Sequence, residues 1–238
     1  MNLGSPLIKK GIIHIWYSPI SLWRTLVKEL KTLLSVEEIL RSENLVFRER
    51  REDYIISRGL LRKILAQYLE LAPDRISIKI NPSGKPYLPG SAYNFNLSHS
   101  KDFFLCGITQ DTPIGVDLQH IYPISNMETL IRSYFSPEEQ QIIKDAAENQ
   151  IKDLFFLIWS AKEAFLKGTG EGFRRSAGSF TVCQKDNGLL SLKVKEGLFP
   201  NLSRDWNIQE IQLSPEYKAA LAIKGDIVHI ETNSFLPE

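Results

Sequence analysis

Two acid-bearing segments, one at the middle of the chain and one with its acid 46 residues further on, constrain the fold most strongly. In the first, residues 115–119, the alternation of a strand places Asp117 and Gln119 on one side. In the second, the spacing of a helix places Glu163 and Lys167 one turn apart on one face. A fold in which this helix packs on this strand therefore brings two carboxylates, an amide and an amine together.

These four side chains have the chemistry of a metal-assisted phosphoryl-transfer site. Asp117, Gln119 and Glu163 offer the hard oxygen donors that Mg²⁺ prefers. Lys167 offers a positive charge for the phosphate that such a metal usually carries. The pattern predicts Mg²⁺ as a cofactor, with Asp117, Gln119 and Glu163 as its ligands.

The composition favours a folded protein and excludes several classes of function. The 238 residues are 43% hydrophobic, enough for one large domain or two of about a hundred residues each. Lys and Arg number 29 against 28 acids, so we expect no nucleic-acid partner. No stretch approaches the twenty or so apolar residues that span a bilayer. Two distant cysteines, Cys106 and Cys183, indicate neither a disulfide framework nor zinc, and a cytoplasmic location fits best.

The hydrophobic pattern predicts strands and helices mixed in both halves of the chain. We expect a first strand near residues 11–17, a long helix over 44–69 that is basic in its first half, and another long helix over 150–167. Ser136 and Glu139 form a capping box that starts a helix between them. Further strands are expected near residues 76–80, 103–108, 179–182, 189–194, 208–213 and 217–223.

Four ordered motifs resemble the signatures of the Sfp-type 4′-phosphopantetheinyl transferases. They are Gly84-Lys85-Pro86, Phe95-Asn96-Leu97-Ser98-His99-Ser100, Gly115-Val116-Asp117-Leu118-Gln119 and Trp159-Ser160-Ala161-Lys162-Glu163-Ala164-Phe165-Leu166-Lys167. The resemblance covers roughly residues 45–181. It departs at Gln119, where the commonest form of the family has Glu.

The resemblance implies an α+β fold of two pseudo-symmetric α/β halves, residues 1–112 and 113–238, with the active site between them and the metal in the second half. The implied reaction transfers the 4′-phosphopantetheine arm of coenzyme A to a serine of an apo carrier protein and releases adenosine 3′,5′-bisphosphate. The implied enzyme is Mg²⁺-dependent, of the holo-acyl-carrier-protein synthase type, and monomeric. Two alternatives stay open, namely a catalytically weak protein that binds coenzyme A or its carrier, and an unrelated Mg²⁺-dependent phosphohydrolase.

The resemblance also implies roles for individual residues. Glu163, Lys167 and Glu139 are the candidate catalytic groups, and the base that deprotonates the serine is Glu139, Glu163 or a metal-bound water. The candidate contacts to coenzyme A are Arg58, Lys85, Ser98, His99 and Lys167, of which Ser98 and His99 are expected at its 3′-phosphate.

Several of these residues have a simpler structural interpretation. The capping box alone explains Glu139, so we weigh its two roles evenly. Lys162 fits a solvated or interface lysine as well as it fits a role at the phosphates. Trp159 is expected to pack, and His120 is expected to be structural. The basic run Arg48, Arg50, Arg51, Arg58, Arg62 and Lys63 is expected to form a solvated helix face, from which only Arg58 reaches the nucleotide.

Overall fold

The fold is that of a computed structural model, which describes residues 8, 11–170, 177–184, 190–194, 206–225, 227 and 229–237. Within these ranges the helices are α1 (Val27–Thr32), α2 (Val36–Glu43), α3 (Arg48–Leu69), α4 (Met127–Tyr134), α5 (Pro137–Asp145) and α6 (Glu148–Thr169). The strands are β1 (Ile12–Pro19), β2 (Lys79–Ile80), β3 (Pro86–Tyr87), β4 (Tyr93–Ser100), β5 (Phe103–Gln110), β6 (Ile114–His120), β7 (Phe180–Gln184), β8 (Leu190–Val194), β9 (Trp206–Ile211), β10 (Tyr217–Lys224) and β11 (His229–Ser234). This mixture confirms the predicted α+β class. No helix of the described ranges is long and apolar enough to cross a membrane.

Two sheets divide the strands between them. One sheet has the order β11-β1-β5-β4, and the other has the order β6-β10-β9-β8-β7. A helix of 22 residues packs on each, α3 on the first sheet and α6 on the second. Each half thus pairs one long amphipathic helix with a mainly antiparallel sheet. Strand β4 is an edge strand of the first sheet, and β6 is an edge strand of the second.

The long helices follow from apolar spacing and from a residue that stops each of them. On α3 the side chains of Ile56, Leu60 and Ile64, four residues apart, are fully buried in the first core. Glu70 ends this helix in the left-handed region with φ of 53°, and Gly170 ends α6 in the same way with φ of 72°. A residue in the left-handed conformation therefore ends each helix.

The two halves share a core, and one strand of the second half joins the sheet of the first. Ile15 of β1 and Leu105 of β5 lie in one buried cluster with Val116 of β6 and Leu221 of β10. Strand β11, from the end of the chain, pairs in parallel with β1 in the first sheet. The division of the chain at residue 112 stays a prediction. Strand β11 follows that division in the sequence but belongs to the first sheet.

Candidate active site

A cavity of about 590 Å³ lies between the two halves. Helices α2 and α3, strand β4 and the turn before β3 form one wall, and β6 and α6 form the other. Eight of the nine side chains that the sequence singled out line it. These are Arg58, Lys85, Ser98, His99, Asp117, Gln119, Glu163 and Lys167.

Asp117 lies at the centre of the polar contacts in this cavity and is only 2% exposed. Its Oδ1 accepts hydrogen bonds from Lys167 Nζ at 2.6 Å and from Ser98 Oγ at 3.0 Å. Its Oδ2 accepts one from Gln119 Nε2 at 2.8 Å. Because β6 presents residues 117 and 119 on one side and α6 presents residue 167 toward that strand, three elements deliver donors to one carboxylate.

Glu163 brings a second carboxylate to the same wall. Its burial, together with the negative charge of Asp117, raises the pKa of Glu163 to about 7, while Lys167 acts in the opposite direction. A bound cation would relieve the repulsion that Asp117 exerts on an ionised Glu163.

The donor set fits a hard divalent cation. Asp117 and Glu163 supply carboxylate oxygens, and Gln119 supplies an amide oxygen on the same side of β6. In the part of the chain that the structure describes, no three His, Cys, Asp or Glu residues cluster as a metal site. This agrees with the sequence, since an amide occupies the third position.

Lys85 ties the first half of the chain to the second. Its Nζ donates to the carbonyl oxygen of Ile114 at 3.0 Å and to that of Gly168 at 2.8 Å. Burial lowers the pKa of Lys85 to about 8. The ammonium therefore lies where β6 and α6 meet, at the edge of the cavity.

The other end of the cavity is rich in arginine. Arg58 on α3 lies 5.4 Å from the centre of the Tyr54 ring, and Arg41 on α2 lies 5.9 Å from the same ring. His99 adds an exposed imidazole to this lining. The sequence reasoning missed Arg41, Tyr54 and Asn96, although Tyr54 precedes Arg58 by one helical turn and Asn96 precedes Ser98 by one strand period.

Glu139 lies outside the lining of this cavity. It is fully buried, and Lys162 Nζ contacts its Oε2 at 2.8 Å. It also accepts hydrogen bonds from the backbone nitrogens of Ser136 at 2.8 Å and Val182 at 2.6 Å. The predicted capping box is confirmed. Because this carboxylate is buried outside the cavity, a serine substrate in the cavity could not reach it directly.

Lys162 corrects one expectation, because it is buried and does not line the cavity. Only 2% exposed, it pairs with Glu139 and donates to the carbonyl oxygens of Ala177 and Phe180, both at 2.7 Å. The adjacent residues Lys162 and Glu163 thus leave α6 in different directions, one toward α5 and β7 and the other toward the cavity.

Arg62 corrects a second expectation, that the basic run is a solvated face. It is 1% exposed, pairs with Glu38 at 2.7 Å and donates to the carbonyl oxygens of Pro73 and Ile76.

Trp159 stacks on Phe155 as a packing residue, with ring centroids 5.7 Å apart.

His120 has structural contacts. Its Nε2 lies 2.9 Å from Lys101 Nζ, and its ring meets Tyr217 edge to face with centroids 5.1 Å apart. It is absent from the residues that line the cavity.

The cavity joins two carboxylates to lysines and an arginine-rich end, a lining that suits an enzyme that transfers a phosphorus-containing group. Comparison with known proteins gives the family. The description "4′-phosphopantetheinyl transferase superfamily" matches residues 113–222, and "4′-phosphopantetheinyl transferase, N-terminal" matches residues 21–109.

Named relatives agree with these matches. The 4′-phosphopantetheinyl transferase HetI of Nostoc sp. is 30% identical over 217 residues, which are 90% of this chain and 88% of that protein. A 4′-phosphopantetheinyl transferase of Bacillus subtilis is 32% identical over 70% of this chain and 71% of its own length. A solved holo-(acyl-carrier-protein) synthase of Bacillus anthracis, in complex with CoA (3′,5′-ADP), aligns with a TM-score of 0.39 at 19% identity over 48% of this chain and 96% of that chain. The chain belongs to the 4′-phosphopantetheinyl transferase family.

The buried pair of Glu139 and Lys162 is expected to stabilise the fold rather than to act on substrate. Glu139→Gln leaves a buried ammonium without its carboxylate, and breaking such a pair costs about 3–5 kcal/mol. The double variant Glu139→Gln with Lys162→Met should lose less than the sum of the two single variants. Urea unfolding measures all three. Suppose instead that Glu139→Gln lowers the free energy of unfolding by less than about 1 kcal/mol, as for an exposed pair, and still abolishes the transfer activity. Glu139 would then have a role in the reaction.

Proposed function

We propose that this transferase moves the 4′-phosphopantetheine arm of coenzyme A to the serine of an apo carrier protein in a Mg²⁺-dependent reaction of the holo-acyl-carrier-protein synthase type. The observation that carries the proposal is the contact of Lys167 with Asp117, beside Glu163, in a cavity between the halves. Membership of the transferase family supports the same reaction.

Asp117 and Glu163, with Gln119, would hold Mg²⁺, which supplies positive charge for the pyrophosphate of coenzyme A. Lys167 already lies at this point and can share its charge between Asp117 and the oxygen that leaves with the nucleotide. Arg58, Lys85 and His99 surround the same cavity and suit the phosphates of the nucleotide. The chain therefore contributes mainly binding and positioning.

Two glutamates are candidates for the removal of the serine proton. Glu163 lines the cavity, so it lies within reach of a serine that enters the cavity. Glu139 accepts hydrogen bonds from two backbone nitrogens and pairs with Lys162. Of the two, we assign the proton transfer to Glu163.

We further propose that the enzyme acts as a cytoplasmic monomer. Each half contributes a wall of one cavity within a single chain, so the site needs no second copy. The described cysteine thiol, Cys106, is free and buried, which suits a reducing compartment.

Carrier modification tests the proposed function directly. The protein is incubated with coenzyme A, Mg²⁺ and an apo carrier, and the carrier is weighed by mass spectrometry. We expect a gain of one phosphopantetheinyl unit, which Asp117→Asn should largely abolish because it removes a charge at nearly constant size. Release of phosphopantetheine or phosphate without carrier modification would indicate a hydrolase, and binding of coenzyme A without turnover would indicate an inactive binding protein.

Gln119 is expected to set the Mg²⁺ requirement. An amide oxygen attracts a hard cation less than a carboxylate does, so Gln119→Glu should lower the Mg²⁺ concentration for half-maximal rate several-fold, with a smaller change in kcat. A Mg²⁺ titration of carrier modification compares wild type with this variant, and Gln119→Ala serves as the control that lacks any ligand atom. Superimposable curves for wild type and Gln119→Glu would remove residue 119 from the metal site.

His99 is expected to recognise the 3′-phosphate of coenzyme A. A hydrogen bond to a charged group contributes about 1.5–3 kcal/mol, so His99→Ala should lower kcat/KM for coenzyme A roughly ten- to a hundredfold. The loss should be much smaller with 3′-dephospho-coenzyme A, which lacks that phosphate. His120→Ala is the matched control, because His120 lies outside the cavity. Equal losses for His99→Ala on both substrates would place its role elsewhere.

A further inference from the structure

Side chains of β4 bind the backbone of β6 along the line where the two sheets meet. Three nitrogens of β6 donate to three side-chain oxygens of β4. The pairs are Val116 N to Asn96 Oδ1 at 2.8 Å, Leu118 N to Ser98 Oγ at 3.3 Å, and His120 N to Ser100 Oγ at 2.9 Å. We call this set the seam.

The seam fixes the register of one strand against the other. Its partners are 20 residues apart in every pair and recur at every second residue, so β4 and β6 run in parallel. Each strand also pairs through its backbone with a neighbour in its own sheet, β4 with β5 and β6 with β10. Because the seam pairs are spaced by the strand period, a slip of one residue would break all of them.

The carbonyl groups on the same edge of β6 bind the two lysines of the cavity. The oxygen of Ile114 accepts from Lys85 Nζ at 3.0 Å, and that of Val116 accepts from Lys167 Nζ at 3.4 Å. Asp117 and Gln119 lie between the nitrogens that the seam holds. The position of β6 against β4 therefore sets the positions of both lysines and of two proposed metal ligands.

We propose that Ser100 and Asn96 are positioning residues for the transfer reaction, an inference that rests on the proposed function. Ser100 holds the nitrogen of His120, the residue that follows Gln119, and Asn96 holds that of Val116, the residue that precedes Asp117. Ser100 is absent from the lining of the cavity, so it acts on the substrate only through β6. Asn96 does line the cavity, which makes Ser100 the cleaner position to test.

The test compares Ser100→Ala, which removes the acceptor, with Ser100→Thr, which keeps a hydroxyl. Residue-resolved amide exchange should be about tenfold faster at His120 in Ser100→Ala and near wild type in Ser100→Thr. We expect kcat of Ser100→Ala to fall roughly ten- to a hundredfold, with a smaller change in KM for coenzyme A. Asn94→Ala is the matched control, because Asn94 is on the same strand and its side chain donates to the nearby carbonyl oxygen of Ala92.

A second readout needs no turnover. Calorimetric titration of Mg²⁺ into the protein with coenzyme A should show weaker binding for Ser100→Ala than for Ser100→Thr, so the inference can be judged even if wild type modifies no carrier. Faster exchange at His120 with unchanged Mg²⁺ binding and unchanged kcat would reduce Ser100 to a structural role. Unchanged exchange would show that the seam does not hold β6. If Ser100→Ala does not fold, Asn96→Ala with exchange measured at Val116 takes its place.

Discussion

The close approach of β6 to α6 is the constraint on which the site depends. A Cβ atom at Gly115 would overlap the carbonyl oxygen of Ala164 and the backbone of Gly168, and one at Gly168 would lie 2.6 Å from the Trp206 ring. Glycine at both places lets the strand and the helix touch backbone to backbone. Since Glu163 precedes Ala164 and Lys167 precedes Gly168, this contact carries a carboxylate and an ammonium to the strand that bears Asp117.

Charge on α6 is balanced in two separate networks. On one side Lys162 pairs with Glu139, and protein donors satisfy that carboxylate within the fold. On the other side Glu163 is left with a pKa near 7, because burial and Asp117 oppose its ionisation. The first network needs no ligand, and we expect it to stabilise the fold. The second keeps, in the cavity, a carboxyl whose ionisation is disfavoured, and such groups are typical of binding or catalytic sites.

The sequence predicted part of the cavity lining from strand and helix periods, which are local, and the rest, Arg58, Lys85, Ser98 and His99, from the family resemblance. Alternation placed Asp117 beside Gln119, and one helical turn placed Glu163 beside Lys167. It failed where a side chain takes its partner from a distant element. Nothing near Lys162 in the sequence shows that it meets Glu139 of α5, and nothing near Arg62 shows that it meets Glu38 of α2. The pairing of β11 with β1 joins the two ends of the chain and is equally invisible to local pattern.

Gln119 contacts the Asp117 carboxylate and so affects how that carboxylate could bind a cation. Its Nε2 donates to Asp117 Oδ2, a contact that an ionised glutamate could not make because it has no proton to donate. With Lys167 and Ser98 on Oδ1, both oxygens of the buried Asp117 then have protein donors. The same amide competes with the proposed Mg²⁺ for Oδ2, so a cation must displace or reorient it. Protein donors thus satisfy Asp117 within the fold, and at the proposed metal site the pyrophosphate of a bound substrate would have to supply the remaining attraction for a cation.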